Sequence, residues 1–150
     1  MKLEKEINQK KFRSDTHKLG VNIIYTFNWL NALYISLLKP HKITTQQFNV
    51  LRIIRGQQPD PASIKTIRER MLDKMSDASR IVEKLRVKGF VERKICTNDR
   101  RACDVLLTDK GKKLLVNINA QISDFDSLFS SLNATETKQI NFLLDKLRGE

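Results

Sequence analysis

Lys74-Met75-Ser76-Asp77-Ala78-Ser79-Arg80, a helical run on to Lys88, then Asp99-Arg100-Arg101 and finally Leu107-Thr108-Asp109-Lys110-Gly111 make up the stretch on which the fold turns. Its order is helix, strand, basic loop, strand, helix start. In a helix from about Lys74 to Lys88, Ala78, Ile81, Val82 and Leu85 share one side and should face a core. Ser76, Asp77, Ser79, Arg80 and Lys84 are left for the outside. Phe90 to Cys96 alternates as a strand does, and Thr97-Asn98-Asp99 supplies turn residues. Cys103 to Leu107 then returns as the second strand. Immediately upstream, Ser63 is suited to cap a short helix carrying Ile64, Ile67 and Met71. A turn around Leu72-Asp73 leads to the second helix, which bears Met75 with Ala78, Ile81, Val82 and Leu85 and is stopped by Gly89; two short helices so joined are the helix-turn-helix pattern.

Further out, Thr44 and Gln47 are spaced as a capping box at the start of another helix. Phe48, Val50, Leu51, Ile53 and Ile54 mark its buried side, and Gly56 closes it. Pro59-Asp60-Pro61 reads as a rigid loop. From about Asp15 to Leu38, Leu19, Ile23, Ile24, Phe27, Leu30, Tyr34, Leu37 and Leu38 recur with the helical period until Lys39-Pro40 stops it. The dozen residues before it read as an arm or a frayed helical turn. Thr108 is expected to cap a long helix bearing Leu114, Leu115, Val116, Ile118, Ile122, Phe125, Leu128 and Phe129. Asn133 or Thr135 begins the last one, with Ile140, Leu143, Leu144 and Leu147 on one face. The apolar stripes of the terminal helices are broad and call for more partner surface than a small core offers.

The chain has 150 residues, 40% of them hydrophobic and 30% charged. That is the composition of a globular domain with a real core. No apolar run approaches the roughly 18 residues of a membrane span, and the N-terminus lacks a signal-peptide core. No membrane association and a cytoplasmic location are therefore expected. The net charge is +11. Between Ala62 and Lys113 there are 15 Lys and Arg against 8 Asp and Glu, so most of the excess sits where the helix and hairpin lie. A basic surface so placed favours a polyanion, because neutralising phosphates releases condensed counterions.

A helix can enter the major groove of DNA and read base edges through its N-terminal turn. Lys74, Ser76, Asp77, Ser79, Arg80 and Lys84 are the candidate DNA contacts on it. Asp77 is expected to stabilise the helix N-terminus rather than to touch a base. At the hairpin tip, Arg100 and Arg101 suit a narrow minor groove, with Asp99 as the carboxylate that orients a guanidinium.

Five segments in this order and spacing carry a family resemblance. They are Ile43 to Leu51, Ser79 to Leu85, Lys88 to Arg93, Asn98 to Ala102, and Leu107 to Gly111. From Ile43 to Leu115 the chain resembles the MarR-type winged-helix transcriptional regulators. The resemblance implies a mainly α fold with a small β-hairpin wing, in one domain over residues 1–150. Its winged helix-turn-helix would span about 43–110, flanked by dimerisation helices at about 12–38 and 112–148. It further implies a homodimer on a pseudo-palindromic double-stranded operator, a repressor's role, and the family's wing Asp and Arg at Asp99 and Arg101. Many relatives bind a small phenolic or aromatic effector; the matching pocket here would be lined by Phe27, Trp29, Leu30, Tyr34 and Phe48.

Cys96 and Cys103 flank the wing, and the peroxide-sensing relatives' cysteine near the start of the first long helix has no counterpart. Two strand cysteines read as packing residues. His17 and His41 stand apart from each other and from the cysteines, so neither a metal nor a cofactor is expected. No phosphate-cradling glycine motif, nucleophile elbow or His/carboxylate cluster points to an enzyme. The competing readings are a helical protein-interaction module with an incidental basic wing, and a nucleic-acid binder without sequence preference.

Overall fold

The computed structural model describes residues 2–95 and 103–149, which fall into two compact units, Met1–Lys112 and Lys113–Glu150. The first unit opens with a single turn, α1 (Leu3–Glu6), and a long helix, α2 (Asp15–Leu38). Ser14 caps α2 by accepting from the His17 amide. The N-terminal turn is pinned to it: Tyr25 Oη donates to Glu6 at 2.7 Å, Lys18 pairs with Glu4, and Leu3 is buried. Lys39-Pro40-His41 winds into a short 3-10 turn after α2.

Along α2 only Leu38 is buried, while Leu19, Ile23, Ile24, Phe27, Trp29 and Ile35 remain 36–63% exposed. By length and mean hydropathy, the helical stretch Asp15–His41 is long and apolar enough to cross a membrane. It meets that length and mean hydropathy without containing any uninterrupted apolar run of comparable length. Polar residues such as Asn22, Asn28 and Asn31 break every run, yet the aliphatic and aromatic residues between them keep the mean high.

The core of the unit is organised on α3 (Thr45–Arg55), whose capping box between Thr44 and Gln47 is formed as its sequence dictates. Phe48, Val50, Leu51, Ile53 and Ile54 are buried, and α3 contacts α2, α4 (Ile64–Arg70), α5 (Ala78–Val87) and β3 (Cys103–Leu107). Ile67, Met71, Val82, Leu85 and Val105 complete the cluster. Each such aliphatic side chain removed from water contributes about 1.5–3 kcal/mol.

The sheet has three antiparallel strands in the order β1 (Ala62–Ser63), β3, β2 (Val91–Ile95). The wing pair runs in register from Val91 opposite Leu107 to Ile95 opposite Cys103. The third strand, pairing Ala62 with Val105 and Ser63 with Asp104, is not legible in the sequence, because so short a strand carries no alternation. Ser63 ends that strand and also caps α4 by accepting from the Thr66 amide at 3.0 Å.

In the second unit α6 (Asp109–Asp126, begun in the first) has Leu114, Leu115 and Ile118 buried along one side. A 3-10 turn, Ser127–Phe129, leads to α7 (Ala134–Arg148). Asn133 and Glu136 form the capping box of α7, which settles its start on Asn133. No residue of α7 is buried; Ile140, Phe142, Leu143 and Leu147 are exposed.

Candidate nucleic-acid interface

The helix expected from Lys74 begins only at Ala78. The residues in front are held in a turn of their own. Asp73 Oδ1 accepts from the Met75 amide at 3.0 Å and Oδ2 from the Ser76 hydroxyl at 2.6 Å. Ser and Asp side chains that satisfy nearby backbone donors compete with helix for them, and here that competition wins. These bonds, Ser76 first and then the Met75 amide, hold the Asp73 carboxyl below its ordinary range; the Gln46 side chain adds to them. Asn49 of α3 accepts from the Leu72 amide at 3.1 Å and fastens the front of the turn.

Asp77 is the N-cap of α5, accepting from the Arg80 amide at 3.1 Å. Its carboxylate is therefore engaged by an orphan helix donor, the structural role expected for it. The far end is closed by Gly89 at φ 75°. The Phe90 amide reaches the Leu85 carbonyl and the Gly89 amide the Arg86 carbonyl, the paired bonds of a Schellman motif. Between these caps Ala78, Val82 and Leu85 are buried, with Ile81 half-buried. Ser79, Arg80 and Lys84 face solvent, and Arg80 and Lys84 form no ion pair among the described residues. Lys74 is exposed but its Nζ reaches back to the Glu69 carbonyl at the end of α4, and Ser76 has committed its proton to Asp73.

The helix is tied to the rest of the unit by charged side chains that sequence reading did not single out. Lys88 Nζ donates to the Lys42 carbonyl at 2.6 Å and to Gln47 Oε1 at 3.0 Å, joining the end of α5 to the start of α3. Glu83 takes Arg86 in a bidentate pair and stands 3.7 Å from Arg93 on β2, so one carboxylate links helix to wing. Arg86 first, then Arg93, pulls the Glu83 carboxyl below its ordinary range. The wing strands expose Glu92, Arg93 and Lys94. Asp99, Arg100 and Arg101, with Cys96, lie outside the described residues, in the connection between Ile95 and Cys103.

Of the anticipated pocket residues, Phe27, Leu30, Tyr34 and Phe48 line one cavity of about 660 Å³ between α2 and α3; Trp29 is not among its walls. Polar groups the sequence did not suggest also line it. Arg52 lies with its guanidinium 5.8 Å from the Phe48 ring centroid, and Gln46 and Asp73 stand where the wall meets the turn before α5. No cluster of His, Cys, Asp or Glu with metal-holding geometry occurs among the described residues.

A helix-turn-helix with its second helix exposed, backed by a three-stranded sheet whose last two strands form a hairpin, defines a winged helix-turn-helix. Residues 43–103 match the model of the MarR family, and this segment is a MarR-family domain. MarR is a family of transcription regulators and not of enzymes. Among solved structures, a mutant MarR from E. coli complexed with operator DNA is 25% identical over 92% of this chain and 99% of its own, with a TM-score of 0.76. A MarR-like transcription regulator from Bacillus cereus is 22% identical over 89% and 96%, with a TM-score of 0.78. The organohalide sensing RdhR-CbdbA1625 transcriptional regulator, in its 2,4-dichlorophenol bound form, is 18% identical over 93% and 85%, with a TM-score of 0.79.

Proposed function

We propose that the protein is a homodimeric, sequence-specific DNA-binding repressor of the cytoplasm, with α5 in the major groove and the wing on the adjacent backbone or minor groove. The observation that carries this reading is the capped, rigidly held α5, which turns Ser79, Arg80 and Lys84 to solvent within the segment that holds most of the positive charge. Arg80 can pair with a guanine edge or a phosphate; Lys74 and Lys84 suit phosphates. Asp99, Arg100 and Arg101 are assigned to the wing contact, as in the family pattern. The operator-bound relative supports DNA as the partner.

The dimer is the proposed reason for the apolar faces of the terminal helices. Helices at about 12–38 and 112–148 are taken to interlock with those of a second copy, leaving 43–110 as the DNA-binding part of a single domain. The cavity beside α2 and α3 falls within the size range of small-molecule sites. Aromatic walls with one guanidinium suit a small phenolic or aromatic acid effector, and the dichlorophenol-bound relative is in keeping with this.

Selection of bound fragments from a random duplex pool tests the reading as a whole. A dimer of winged helices should yield two inverted half-sites about one helical turn apart. Arg101→Ala should then weaken binding to that site by about 1–3 kcal/mol and lower the salt slope by roughly one unit. Equal binding of the selected and scrambled duplexes would leave a non-specific nucleic-acid binder, and no duplex binding at all a protein-interaction module.

A further inference from the structure

The segment in front of α5 presents an apolar side chain where a DNA-reading helix is expected to present polar ones. Met75 is 95% exposed and Leu72 86%, the two most exposed large hydrophobic residues among those described. Leu72 belongs to the cavity wall, whereas Met75 does not. The exposure of Met75 comes from a fixed backbone. Its own amide is held by Asp73 Oδ1, the following Ser76 by Asp73 Oδ2, and the preceding Leu72 amide by Asn49.

The neighbouring polar candidates are turned to internal work. Ser76 donates its hydroxyl proton to Asp73, Asp77 accepts at the helix N-terminus, and Lys74 reaches back to Glu69. What is left projecting at the front of α5 is Met75, with Ser79 and Arg80 on the helix itself. Asp73 and Asp77 flank Met75 along with Lys74 and Arg80, so the negative charge of the facing partner follows from the wider stretch Ala62 to Lys113, with its 15 Lys and Arg against 8 Asp and Glu, and from the DNA-binding reading. In a polyanionic major groove the apolar group offered by a base edge is the C5-methyl of thymine. Methionine, unbranched and polarisable, adapts readily to such a contact.

We propose that Met75 is a specificity-determining residue that covers the 5-methyl group of one thymine in each operator half-site. This rests on the DNA-binding reading given above and names one of the bases read. Asp73 is then the residue that positions it, through the Met75 amide.

Deoxyuridine differs from thymidine at the base only by lacking that methyl, which makes it the probe. In the duplex selected from the random pool, each thymine of a half-site is replaced in turn by deoxyuridine and binding is measured at fixed salt. The protein should lose roughly fourfold in affinity at one thymine per half-site, the effect of one methyl group left in water. Met75→Ala should bind the thymine duplex about as weakly as the unaltered protein binds the uracil one, and should no longer distinguish the two. Met75→Leu should keep the distinction, and all three proteins should show the same salt slope and unfolding midpoint. Indifference of the unaltered protein to every uracil replacement overturns the proposal while leaving sequence-specific binding intact, as does full discrimination by Met75→Ala. Failure of the pool to yield any preferred sequence overturns the DNA reading, and this inference with it.

Discussion

A Cβ built on Gly111 would stand 2.1 Å from the Phe90 carbonyl oxygen, and that oxygen is not free to move away. It accepts the Thr108 amide at 3.1 Å, while Thr108 Oγ1 donates to the Gly89 carbonyl at 2.7 Å and accepts the Gly111 amide. Glycine in a helix ordinarily costs about 1 kcal/mol relative to alanine, so helix propensity alone would favour Gly111→Ala. The contact reverses the sign: the variant is expected to be destabilised by about 3 kcal/mol, seen as a lower urea midpoint at unchanged m-value. A neutral or stabilising result would mean that the end of the wing yields easily. A milder loss is expected at the cap of α5, where Asp77→Ala removes the acceptor for the Arg80 amide and costs about 1 kcal/mol. The glycine and the aspartate can both be picked out in the sequence, but only Asp77 can be given its reason there. A cap is a relation within one helical turn, whereas the reason for Gly111 lies at Phe90, on the far side of the wing hairpin.

The same contrast of range explains which elements are legible. The bounds of α2, the capping boxes of α3 and α7, Ser63 at α4 and the Gly89 stop of α5 all follow from residues within a turn of each other. Sequence alone places the start of α5 too early because Lys74 to Asp77 is compatible with a helix, and only the Asp73 bonds exclude it. The short strand β1 exists only by pairing with β3, which the chain reaches after two further helices and another strand. Glu83, which joins α5 to β2, is of this long-range kind and offers a pH test. Its folded value is lowered by Arg86 and then Arg93, so its contribution is present above the ordinary carboxylate pKa of 4.5 and is lost as pH falls through the folded value. Glu83→Gln should therefore differ in urea midpoint from the unaltered protein near neutral pH, and the two should converge as the pH falls below the folded value of Glu83. A gap of constant size across that range would assign the difference to packing rather than to the ion pairs.

At the scale of the whole molecule, the breadth of the apolar stripes is readable from residue spacing, but what covers them is not written in one chain. Phe27, Leu30, Tyr34 and Phe48 can be named for the pocket because they share a helical face or a neighbouring core helix; Arg52 and Asp73 enter that cavity only through the packing of α2 and α3. For the terminal helices one substitution separates the two readings. Ile24 is exposed in the single chain. If the protein is a monomer, Ile24→Glu is a surface change and should alter stability by no more than about 0.5 kcal/mol. If α2 is buried against a second copy, a carboxylate there is desolvated without a partner in both protomers. The variant should then sediment as a monomer where the unaltered protein sediments as a dimer. Its unfolding temperature should be lower and independent of protein concentration, whereas that of the dimer rises with concentration by mass action. Binding to a duplex with both half-sites should fall to the level of a single half-site, since joining two contacts on one molecule is what multiplies their strength. Unchanged sedimentation and unchanged two-site binding would remove α2 from the interface and leave the dimer, if one forms, to α6 and α7.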